Sequence, residues 1–339
     1  MKVGIISPIA WRTPPRHYGP WERVVSLLVE GLVKEGLDVT LFATGDSVTS
    51  ANLKYICKTP YEEDRELDAK VCECLHISDA MEQAGGFDII HNNFDFVPLT
   101  YSKLINTPMV TTIHGFSSEK IIPVYEKYNE NNYYVSISNA DRSPRLNYTA
   151  TVYHGIDIES FKYSVSHEDY LLYFGRIHHD KGTAEAIEIA RKAQKKLVIA
   201  GIIQDELYFQ KEVKPYIDGE NVIYVGSVGS VERNKLLGGA YCLIHPINFE
   251  EPFGLSIIEA MACGTPVIAF SKGSMPEIIQ EGINGYLVDD VDQMVTKIKE
   301  VKHIPRALCR KTVEDRFSQE RMVNDYIKVY MKIIKRDMI

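Results

Sequence analysis

The chain repeats one pattern twice: short apolar runs of the kind that form buried strands alternate with longer segments of helical periodicity. The first set of runs comprises residues 3–6, 39–43, 89–91, 110–114 and 134–137. The second set comprises residues 171–174, 197–200, 222–225, 242–245 and 267–270. Helical patterns lie among them, at 23–35, 182–195, 231–240 and 256–263. Such alternation predicts parallel sheets covered by helices on both faces, and two sets predict two doubly wound α/β domains.

The length of the chain agrees with two domains. Its 339 residues suit two domains of about 150 residues each. We place the boundary in the polar segment 157–169, which predicts a first domain over 1–160 and a second over 161–317. The remaining residues, 318–339, are predicted to form a helix that could pack back on the first domain. Its apolar residues share one face: Met322, Tyr326, Val329 and Ile333.

Composition and charge exclude several classes of function. Hydrophobic residues make up 45% of the chain and charged residues 25%, the balance of a globular protein that needs no disulfide or metal to hold its core. The net charge of −8 disfavours nucleic acid and anionic membranes as partners. The six cysteines lack zinc-finger spacing, the first residues lack a signal-peptide pattern, and no segment approaches the ~18 apolar residues of a membrane span. We therefore expect a cytoplasmic protein with reduced thiols and no integral membrane segment.

Two cationic residues lie in the turn that follows residues 171–174, the first apolar run of the second set. Gly175-Arg176 follows the run 171–174, and Lys181-Gly182 precedes a helical pattern. Ligands of open parallel sheets bind beyond the carboxyl ends of the strands. An arginine fork and a lysine point charge beside a helix N-terminus suit a diphosphate. In isolation, such a motif is more typical of a solvated basic turn than of a diphosphate site.

A longer motif follows the run 242–245 and opens the next helix. Seven residues separate Glu251 from Glu259, which places the first carboxylate in the loop and the second inside the helix. The N–H groups of Gly254, Leu255 and Ser256 would then point at an anion, while the carboxylates accept hydrogen bonds from sugar hydroxyls. The alternative is an acidic loop before an ordinary helix, and the length of the motif disfavours it.

Two positions at strand ends in the first half complete the candidate site. Gly19, between the first run and the first helix, would let a phosphate approach the backbone closely. His114 ends the run 110–114 and could meet a ligand directly. Each has a structural alternative, an ordinary turn and a packed histidine. Three arginines nearby could bind an anionic acceptor or simply be solvated: Arg12, Arg16 and Arg23.

Other catalytic motifs are missing from the sequence. It contains no G-x-G-x-x-G, no P-loop, no H-E-x-x-H and no G-x-S-x-G, which disfavours dinucleotide, P-loop, zinc-protease and serine-hydrolase chemistry. The acidic segment 289–292 contains a D-x-D that could suggest a divalent metal, although most such clusters are solvated turns.

Taken in order, these motifs resemble the retaining glycosyltransferases of group 1, also called GT4. Residues 251–259 match the E-x7-E signature of that family, and residues 175–182 match its G-R-x-x-x-x-K-G diphosphate motif. Shorter segments follow the family's order: 88–91, 112–115, 136–138, 154–157 and 262–267. The resemblance covers nearly the whole chain. It implies a GT-B fold, in which two doubly wound Rossmann-like domains face each other across a cleft, the first on the acceptor side and the second binding the nucleotide sugar.

The resemblance also implies roles for individual residues of the second domain. Arg176 and Lys181 would neutralise the donor diphosphate. Glu259 would hold the ribose hydroxyls, and Glu251 would bind hydroxyls of the transferred sugar. The helix-start backbone would contact that sugar and the phosphates, at Phe253, Gly254, Leu255 and Ser256.

In the first domain the resemblance assigns two residues. His114 would lie beside an outer hydroxyl of the sugar, near the reacting carbon, and Gly19 would close over the donor phosphates. Family members often carry two glycines in this first loop, whereas here Pro20 follows Gly19. Proline removes an N–H group, so the loop would offer a phosphate fewer donors.

The implied reaction moves a hexose from a UDP- or GDP-sugar to a sugar or small-molecule acceptor with retention of configuration. A phosphate oxygen would take the acceptor proton, so neither a protein base nor a metal cofactor is expected. Two enzymatic alternatives use the same architecture, a glycoside phosphorylase and a nucleotide-sugar epimerase. A third alternative is a non-catalytic nucleotide-sugar-binding subunit, and the intact set of Arg176, Lys181, Glu251 and Glu259 argues against it.

Overall fold

The computed structural model describes residues 1–116 and 118–337, which divide into two units. One unit comprises residues 1–155 with the helix that begins at Gln319, and the other comprises residues 156–318. The boundary thus lies five residues before the predicted 160/161, because the strand-like segment at Ile156 pairs with Ser318 and its N–H donates to the Phe317 carbonyl at 2.9 Å. Of the predicted helix over 318–339, positions 338 and 339 lie outside the described residues.

The first unit is built on a seven-stranded parallel sheet in the order β3-β2-β1-β4-β5-β6-β7. Its strands are β1 Lys2–Ile6, β2 Asp38–Phe42, β3 Asn52–Lys54, β4 Ile89–Asn92, β5 Met109–Ile113, β6 Tyr133–Ser136 and β7 Tyr148–Thr151. Its helices are α1 Pro20–Lys34, α2 Ala69–Glu82, α3 Ile122–Lys127 and, numbering along the whole chain, α11 Gln319–Asp337. Strands β1, β4 and β5 are buried along nearly their whole length, as expected for parallel strands covered on both faces.

The second unit is built on a six-stranded parallel sheet in the order β10-β9-β8-β11-β12-β13. Its strands are β8 Tyr170–Phe174, β9 Lys196–Ala200, β10 Val222–Gly226, β11 Cys242–His245, β12 Val267–Phe270 and β13 Gly285–Val288. Its helices are α4 Thr183–Ala193, α5 Glu206–Tyr208, α6 Ser230–Gly239, α7 Leu255–Ala262, α8 Met275–Ile278, α9 Val291–Ile298 and α10 Arg306–Arg316. Two doubly wound α/β units are therefore present, which confirms the predicted fold class of the units.

The last helix, α11, is held against the sheet of the first unit by a series of buried hydrogen bonds. His91 in β4 places Nδ1 2.7 Å from the Tyr330 hydroxyl and Nε2 2.7 Å from the Thr112 hydroxyl, which in turn lies 2.7 Å from the Tyr326 hydroxyl. Helix α11 also packs on α1 at Gly31, where an added Cβ would come within 2.3 Å of a Val323 methyl carbon. This close packing of α11 on α1 explains why a glycine is present in the middle of α1.

Local capping defines where several helices begin. Asp68 caps α2 by accepting from the Val71 N–H, and Asp290 caps α9 by accepting from the Gln293 N–H at 2.8 Å. Helix α1 begins at Pro20, which tolerates the first helical position because its missing N–H would have no helical partner there. Within the described residues, none of the helices has the length and apolar content that a bilayer crossing requires.

Candidate functional site

The second unit brings two of the predicted site residues into direct contact. The Lys181 Nζ lies 2.5 Å from Glu251 Oε2, and both side chains are almost fully buried. Lys181 lies at the end of the short turn after β8, and Glu251 lies in the loop between β11 and α7. Because β8 and β11 are neighbours in the sheet, their carboxyl ends place the two loops side by side.

Gly182 shows how closely these loops approach each other. Its φ of +71° lies in the left-handed region, and an added Cβ would come within 1.8 Å of the Pro246 carbonyl oxygen. Only glycine fits such a contact without backbone movement. The glycine of the predicted diphosphate motif therefore seats the Lys181 turn directly against the segment that follows β11.

Two further side chains surround the Lys181–Glu251 pair. The Lys181 ammonium lies 4.4 Å from the centre of the Phe249 ring, and His245 Nε2 lies 3.5 Å from Glu251 Oε2. Burial raises the pKa of Glu251, but the adjacent His245 and the Lys181 ammonium outweigh it and hold that pKa at about 2. Burial lowers the pKa of His245, against the pull of the Glu251 carboxylate. The site therefore contains a buried, ionised glutamate, Glu251. Its ion-pair partner, Lys181, is also the residue that was predicted to bind the diphosphate.

The backbone of Glu251 is held by the segment that follows β12. The Ser274 N–H donates to the Glu251 carbonyl at 2.9 Å, and the Gly273 N–H donates to the Glu250 carboxylate. Gly273 has a φ of +56°, and an added Cβ would come within 2.3 Å of the Glu251 backbone nitrogen and oxygen. Sequence reasoning did not single out Gly273; its position at a strand end was the available signal.

The start of α7 follows the predicted motif. Gly254 precedes the helix with a φ of +93°, Phe253 is buried against Phe317, and the Ser274 hydroxyl donates to the Phe253 carbonyl at 2.7 Å. Leu255 and Ser256 are the first two helical residues and are partly exposed. Helix α7 thus begins only a few residues after Glu251 in the sequence.

The remaining predicted residues of this unit have other partners. Glu259, on α7, is buried and lies 3.6 Å from Arg233 Nη1 of α6. Arg176 donates to the Gln204 side chain and lies in the partly exposed part of the loop. Arg233, which sequence reasoning missed, carries no motif signal and is recognised only because α6 and α7 pack together.

In the first unit the residues at the strand ends form a neutral, stacked cluster. His114, directly after β5, stacks on Trp21 at 5.5 Å and on His154 at 5.2 Å between ring centres. Its Nε2 lies 3.0 Å from Asn93 Oδ1, and its Nδ1 lies 3.4 Å from His154 Nε2. Burial lowers the pKa of His114 to about 3, so the imidazole is uncharged at neutral pH. Asn93, one residue after β4, is a site neighbour that the sequence analysis did not name.

Gly19 and Glu22 lie together where α1 begins. Gly19 has a φ of +146°, and an added Cβ would come within 2.9 Å of a Glu22 carboxylate oxygen. Glu22 is buried, and burial raises its pKa to about 7, against backbone hydrogen bonds at Glu22 and Trp11 that favour the charged form. A carboxylate beside Gly19 disfavours an anion there unless the carboxylate is protonated.

The nearby arginines and the D-x-D segment have structural partners. Arg16 bridges Asp46 at 3.0 Å and Glu63, Arg12 donates to the Asp46 carbonyl, and Arg23 donates to the His17 carbonyl. Arg16 is therefore ion-paired within the protein, whereas the sequence had suggested that it binds an anionic acceptor or is solvated. In the acidic segment, Asp290 is the cap of α9 and Asp292 lies 2.9 Å from Lys192 Nζ.

One group of side chains has the donor atoms of a transition-metal site. His178 and His179 of the Lys181 loop and Asp205, the cap of α5, place their ligand atoms within 4.8 Å of one another. The His178 Nδ1 already accepts from the Asp180 N–H at 3.3 Å, and the His179 ring is largely exposed beside the Asp180 carboxylate. His178 thus helps to fold the turn that carries Lys181.

The chain is similar to a known protein family over its second unit and to several known sequences over stretches of different length. Residues 156–317 match the family model described as "Glycosyl transferases group 1". The chain is 25% identical over 299 residues to an uncharacterized glycosyltransferase of Methanocaldococcus jannaschii, covering 83% of this chain and 71% of that protein. It is 32% identical over 170 residues to an uncharacterized 41.2 kDa protein in the cps region of Klebsiella pneumoniae, covering 47% of this chain and only 45% of that relative.

Comparison with solved structures matches the whole chain. The sucrose-phosphate synthase of Thermosynechococcus elongatus superposes with a TM-score of 0.82 at 19% identity, covering 99% of this chain and 100% of that chain. The Anabaena protein HepE in complex with UDP-glucose superposes with a TM-score of 0.72 at 18% identity, covering 98% of this chain and 100% of that chain. At such low identity these similarities establish the fold, which is GT-B.

Proposed function

We propose that this chain is a group 1 glycosyltransferase and that it transfers a hexose from a nucleotide-diphosphate sugar to a sugar or small-molecule acceptor with retention of configuration. The observation that carries the proposal is the buried Lys181–Glu251 pair beside the start of α7. It combines a cation for a leaving diphosphate with a carboxylate for sugar hydroxyls, inside the segment that matches the family model. The predicted cytoplasmic location is part of the same proposal.

The reaction places negative charge on the leaving group, and the second unit has the means to stabilise it. As the bond from the anomeric carbon to the diphosphate breaks, charge grows on the phosphate oxygens. Lys181, Arg176 and the N–H groups at the start of α7 stabilise that charge more in the transition state than in the bound donor. The acceptor hydroxyl bonds to the anomeric carbon from the leaving-group face, and its proton passes to a diphosphate oxygen.

Donor binding would change the partners of the Lys181–Glu251 pair. The ammonium exchanges the carboxylate for phosphate oxygens, and the freed carboxylate accepts hydrogen bonds from hydroxyls of the sugar. In the paired state the pKa of about 2 keeps Glu251 ionised at neutral pH, so the arriving donor meets a hydrogen-bond acceptor. Glu259 would accept from the ribose hydroxyls while Arg233 stays beside it.

His114 fits the role of a neutral positioning group. The His114 imidazole is uncharged at neutral pH and is stacked between Trp21 and His154. It can therefore hydrogen-bond a sugar hydroxyl without adding a positive charge near the cationic anomeric carbon. For Gly19 the proposed role depends on the charge of Glu22. Its loop approaches the donor phosphate only when the neighbouring Glu22 is protonated, because an ionised carboxylate there would repel the phosphate.

The test begins with the donor. UDP-glucose comes first because HepE is a structural neighbour solved with it, followed by UDP-galactose, UDP-N-acetylglucosamine and GDP-mannose. Binding is measured as a thermal shift, since a ligand at a hundred times its Kd adds about 2.7 kcal/mol. Transfer is then measured as nucleoside diphosphate release with a panel of sugars and small hydroxylated acceptors, and NMR of the product gives the anomeric configuration.

The outcomes separate the alternatives. Acceptor-dependent release that is lost in Lys181→Ala, with an unchanged anomeric configuration, supports the proposal. Activity that requires inorganic phosphate would identify a phosphorylase, and conversion of the donor without release would identify an epimerase. Donor binding without any turnover would identify a binding subunit, and an inverted product would overturn the proposed stereochemistry.

A further inference from the structure

Two histidines and an aspartate lie close together in the second unit, beside the turn that ends at Lys181. His178 caps this turn, His179 is its first residue, and Asp205 caps α5. One ligand atom from each of the three lies within 4.8 Å of the other two. The side chains of His178, His179 and Asp205 are 26%, 64% and 32% exposed, so an ion from solution can reach all of them.

The segments that carry these side chains are joined through their backbones. The Asp205 N–H donates to the Ile177 carbonyl at 3.2 Å, and the Ile177 N–H donates to the Ile202 carbonyl at 2.8 Å. On the other side of the turn, the Asn248 N–H donates to the Asp180 carbonyl at 2.7 Å. The backbone therefore holds the three side chains near one another before any ligand binds.

Asp205 uses one carboxylate oxygen for its helix and directs the other at His179. The Tyr208 N–H donates to Asp205 Oδ1 at 3.0 Å, whereas Asp205 Oδ2 lies 3.9 Å from His179 Nδ1. Two ligands of one zinc ion, each about 2.1 Å from it, lie at most about 4.2 Å apart. The two atoms already meet this limit, and a small rotation of the exposed His179 ring brings them to the tetrahedral separation of roughly 3.4 Å.

The Asp180 carboxylate lies beside the far nitrogen of His179 and beside His178. Its Oδ1 lies 2.8 Å from His179 Nε2, and its Oδ2 lies 3.4 Å from His178 Nδ1. A carboxylate beside one ring nitrogen favours the proton on that nitrogen, so the other nitrogen keeps a lone pair for a metal. For His179 this is Nδ1, which faces Asp205. For His178 it is Nε2, and metal binding there exchanges the long 3.3 Å bond from the Asp180 N–H to Nδ1 for a contact of Nδ1–H with the carboxylate.

From these observations we infer that His178, His179 and Asp205 bind a divalent transition-metal ion, Zn²⁺ in the first place, and that Asp180 orients the two histidines. Two imidazoles and one carboxylate suit Zn²⁺, Co²⁺ and Ni²⁺, whereas Mg²⁺ and Ca²⁺ take oxygen ligands. Three protein ligands leave a coordination position for water. The inference does not rest on the proposed function, because the ion takes no part in the transfer reaction. It fastens the turn that ends at Lys181 to the start of α5.

The experiment titrates Zn²⁺ into the full chain, prepared without a histidine tag, by calorimetry in a buffer that does not bind metals. We expect one ion per chain with a Kd below about 100 μM, and no Mg²⁺ binding at the same concentrations. Co²⁺ then serves as a spectroscopic probe. Nitrogen and oxygen ligands give visible d–d bands without the intense near-ultraviolet band of a cobalt–thiolate bond, which distinguishes this site from binding at the exposed Cys74.

The variants are chosen to leave the fold intact, and an unchanged Tm without metal checks this. His179→Ala removes a largely exposed ring and should weaken Zn²⁺ binding about a hundredfold. Asp205→Asn keeps an oxygen for the Tyr208 N–H and replaces the metal-facing oxygen by an amide nitrogen, with a similar loss expected. Asp180→Ala removes only the orienting carboxylate and should weaken binding about tenfold. His303→Ala, at an exposed histidine elsewhere in the second unit, is the matched control and should bind Zn²⁺ as the parent does.

Three results would overturn the inference. One is that neither Zn²⁺, Co²⁺ nor Ni²⁺ binds the parent with a Kd below about 100 μM. Another is that His179→Ala and Asp205→Asn bind Zn²⁺ as tightly as the parent. The third is a cobalt–thiolate band in the Co²⁺ spectrum, which would assign the ion to a cysteine. All titrations are made without nucleotide, so their outcome is independent of the transfer reaction.

Discussion

Two buried glutamates, one in each unit, occupy similar positions and have opposite ionisation behaviour. Glu22 lies in the first turn of α1, after β1, and Glu251 lies in the loop that leads from β11 into α7. Their side chains are about equally buried. Burial raises the pKa of Glu22 to about 7, whereas Lys181 and His245 hold that of Glu251 at about 2 despite the same burial. The neighbouring His245 and Lys181 therefore decide the charge of Glu251, and burial alone does not.

The difference extends to the surroundings of each residue. Around Glu251 the charges are paired, through Lys181 and, farther along α7, through Arg233 with Glu259. Around Glu22 the neighbours are a glycine with positive φ and the stack of Trp21 on a neutral His114. Under the proposed function, the charged set serves the leaving diphosphate and the neutral set serves the sugar.

Removing Lys181 should take away one of the two neighbours that keep Glu251 ionised. We expect Lys181→Ala to lower kcat/KM about a hundredfold, through loss of a leaving-group contact. It should also lower the free energy of unfolding at neutral pH by about 3–5 kcal/mol, because a buried carboxylate then lacks its partner. Steady-state kinetics with the donor found by thermal shift and urea unfolding measure the two effects.

The double variant separates stability from catalysis. Lys181→Ala with Glu251→Gln removes the unpaired charge, so most of the lost stability should return while activity stays low. Recovery of activity together with stability would show that the pair is structural only. Full activity in Lys181→Ala alone would contradict the site assignment.

Glu22 should make stability fall as pH rises. Its pKa is about 7 when folded and 4.5 when unfolded, so the folded chain binds the extra proton between these values. The stabilisation is complete below pH 4.5 and is lost as pH rises through 7, at a cost of about 3 kcal/mol. Glu251 has the opposite sign, because its folded pKa of about 2 lies below the unfolded value and its stabilisation is lost as pH falls toward 2.

The measurement is urea unfolding of the parent and of Glu22→Gln from pH 4.5 to 8.5. The variant should gain stability relative to the parent as pH rises, by up to about 3 kcal/mol at pH 8. A constant difference across this range would mean that Glu22 keeps the same charge in both states. Glu251→Gln is the matched control, and its difference from the parent should be flat over the same range.

Two buried histidines of the first unit provide a finer contrast between structure and function. His91→Phe leaves the Tyr330 hydroxyl unpaired, and His114→Phe leaves Asn93 Oδ1 unpaired, so each should cost about 1–3 kcal/mol of stability. His91→Phe should keep normal turnover per folded molecule. His114→Phe should lose about tenfold in kcat, the equivalent of one hydrogen bond in the transition state. Equal turnover in the two variants would remove His114 from the site.

How much of this could be predicted from the sequence depends on burial. Strands β11 and β12 were located to the residue because both faces are buried and their sequences are continuous apolar runs. Strands β3 and β7 were missed, since they are edge strands with partly exposed residues and a weak pattern. Helix α2 was missed because Val71 and Leu75 are about half exposed, which blurs its apolar face.

The candidate site divides in the same way. Lys181, Glu251 and His114 could be named because they follow apolar runs, and parallel strands place such residues at one edge of their sheet. Their partners could not be named. The contacts of Glu259 with Arg233, of His114 with Asn93 and of Glu251 with His245 depend on side-chain packing between elements far apart in sequence. The Arg16 bridge to Asp46 and Glu63 was missed for the same reason.

The smallest expected effect concerns a third kind of carboxylate, exposed and capping a helix. Asp290 accepts from the Gln293 N–H at 2.8 Å, and Gln293 Oε1 accepts from the Asp289 N–H at 3.2 Å, a reciprocal arrangement that satisfies donors at the start of α9. Asp290→Ala should therefore cost about 1 kcal/mol of stability in urea unfolding. Asp292→Ala, which removes only an exposed ion pair with Lys192, should cost less stability than Asp290→Ala. If this D-x-D segment instead held a catalytic metal, both variants would lose activity, and added chelator would reduce the activity of the parent to their level.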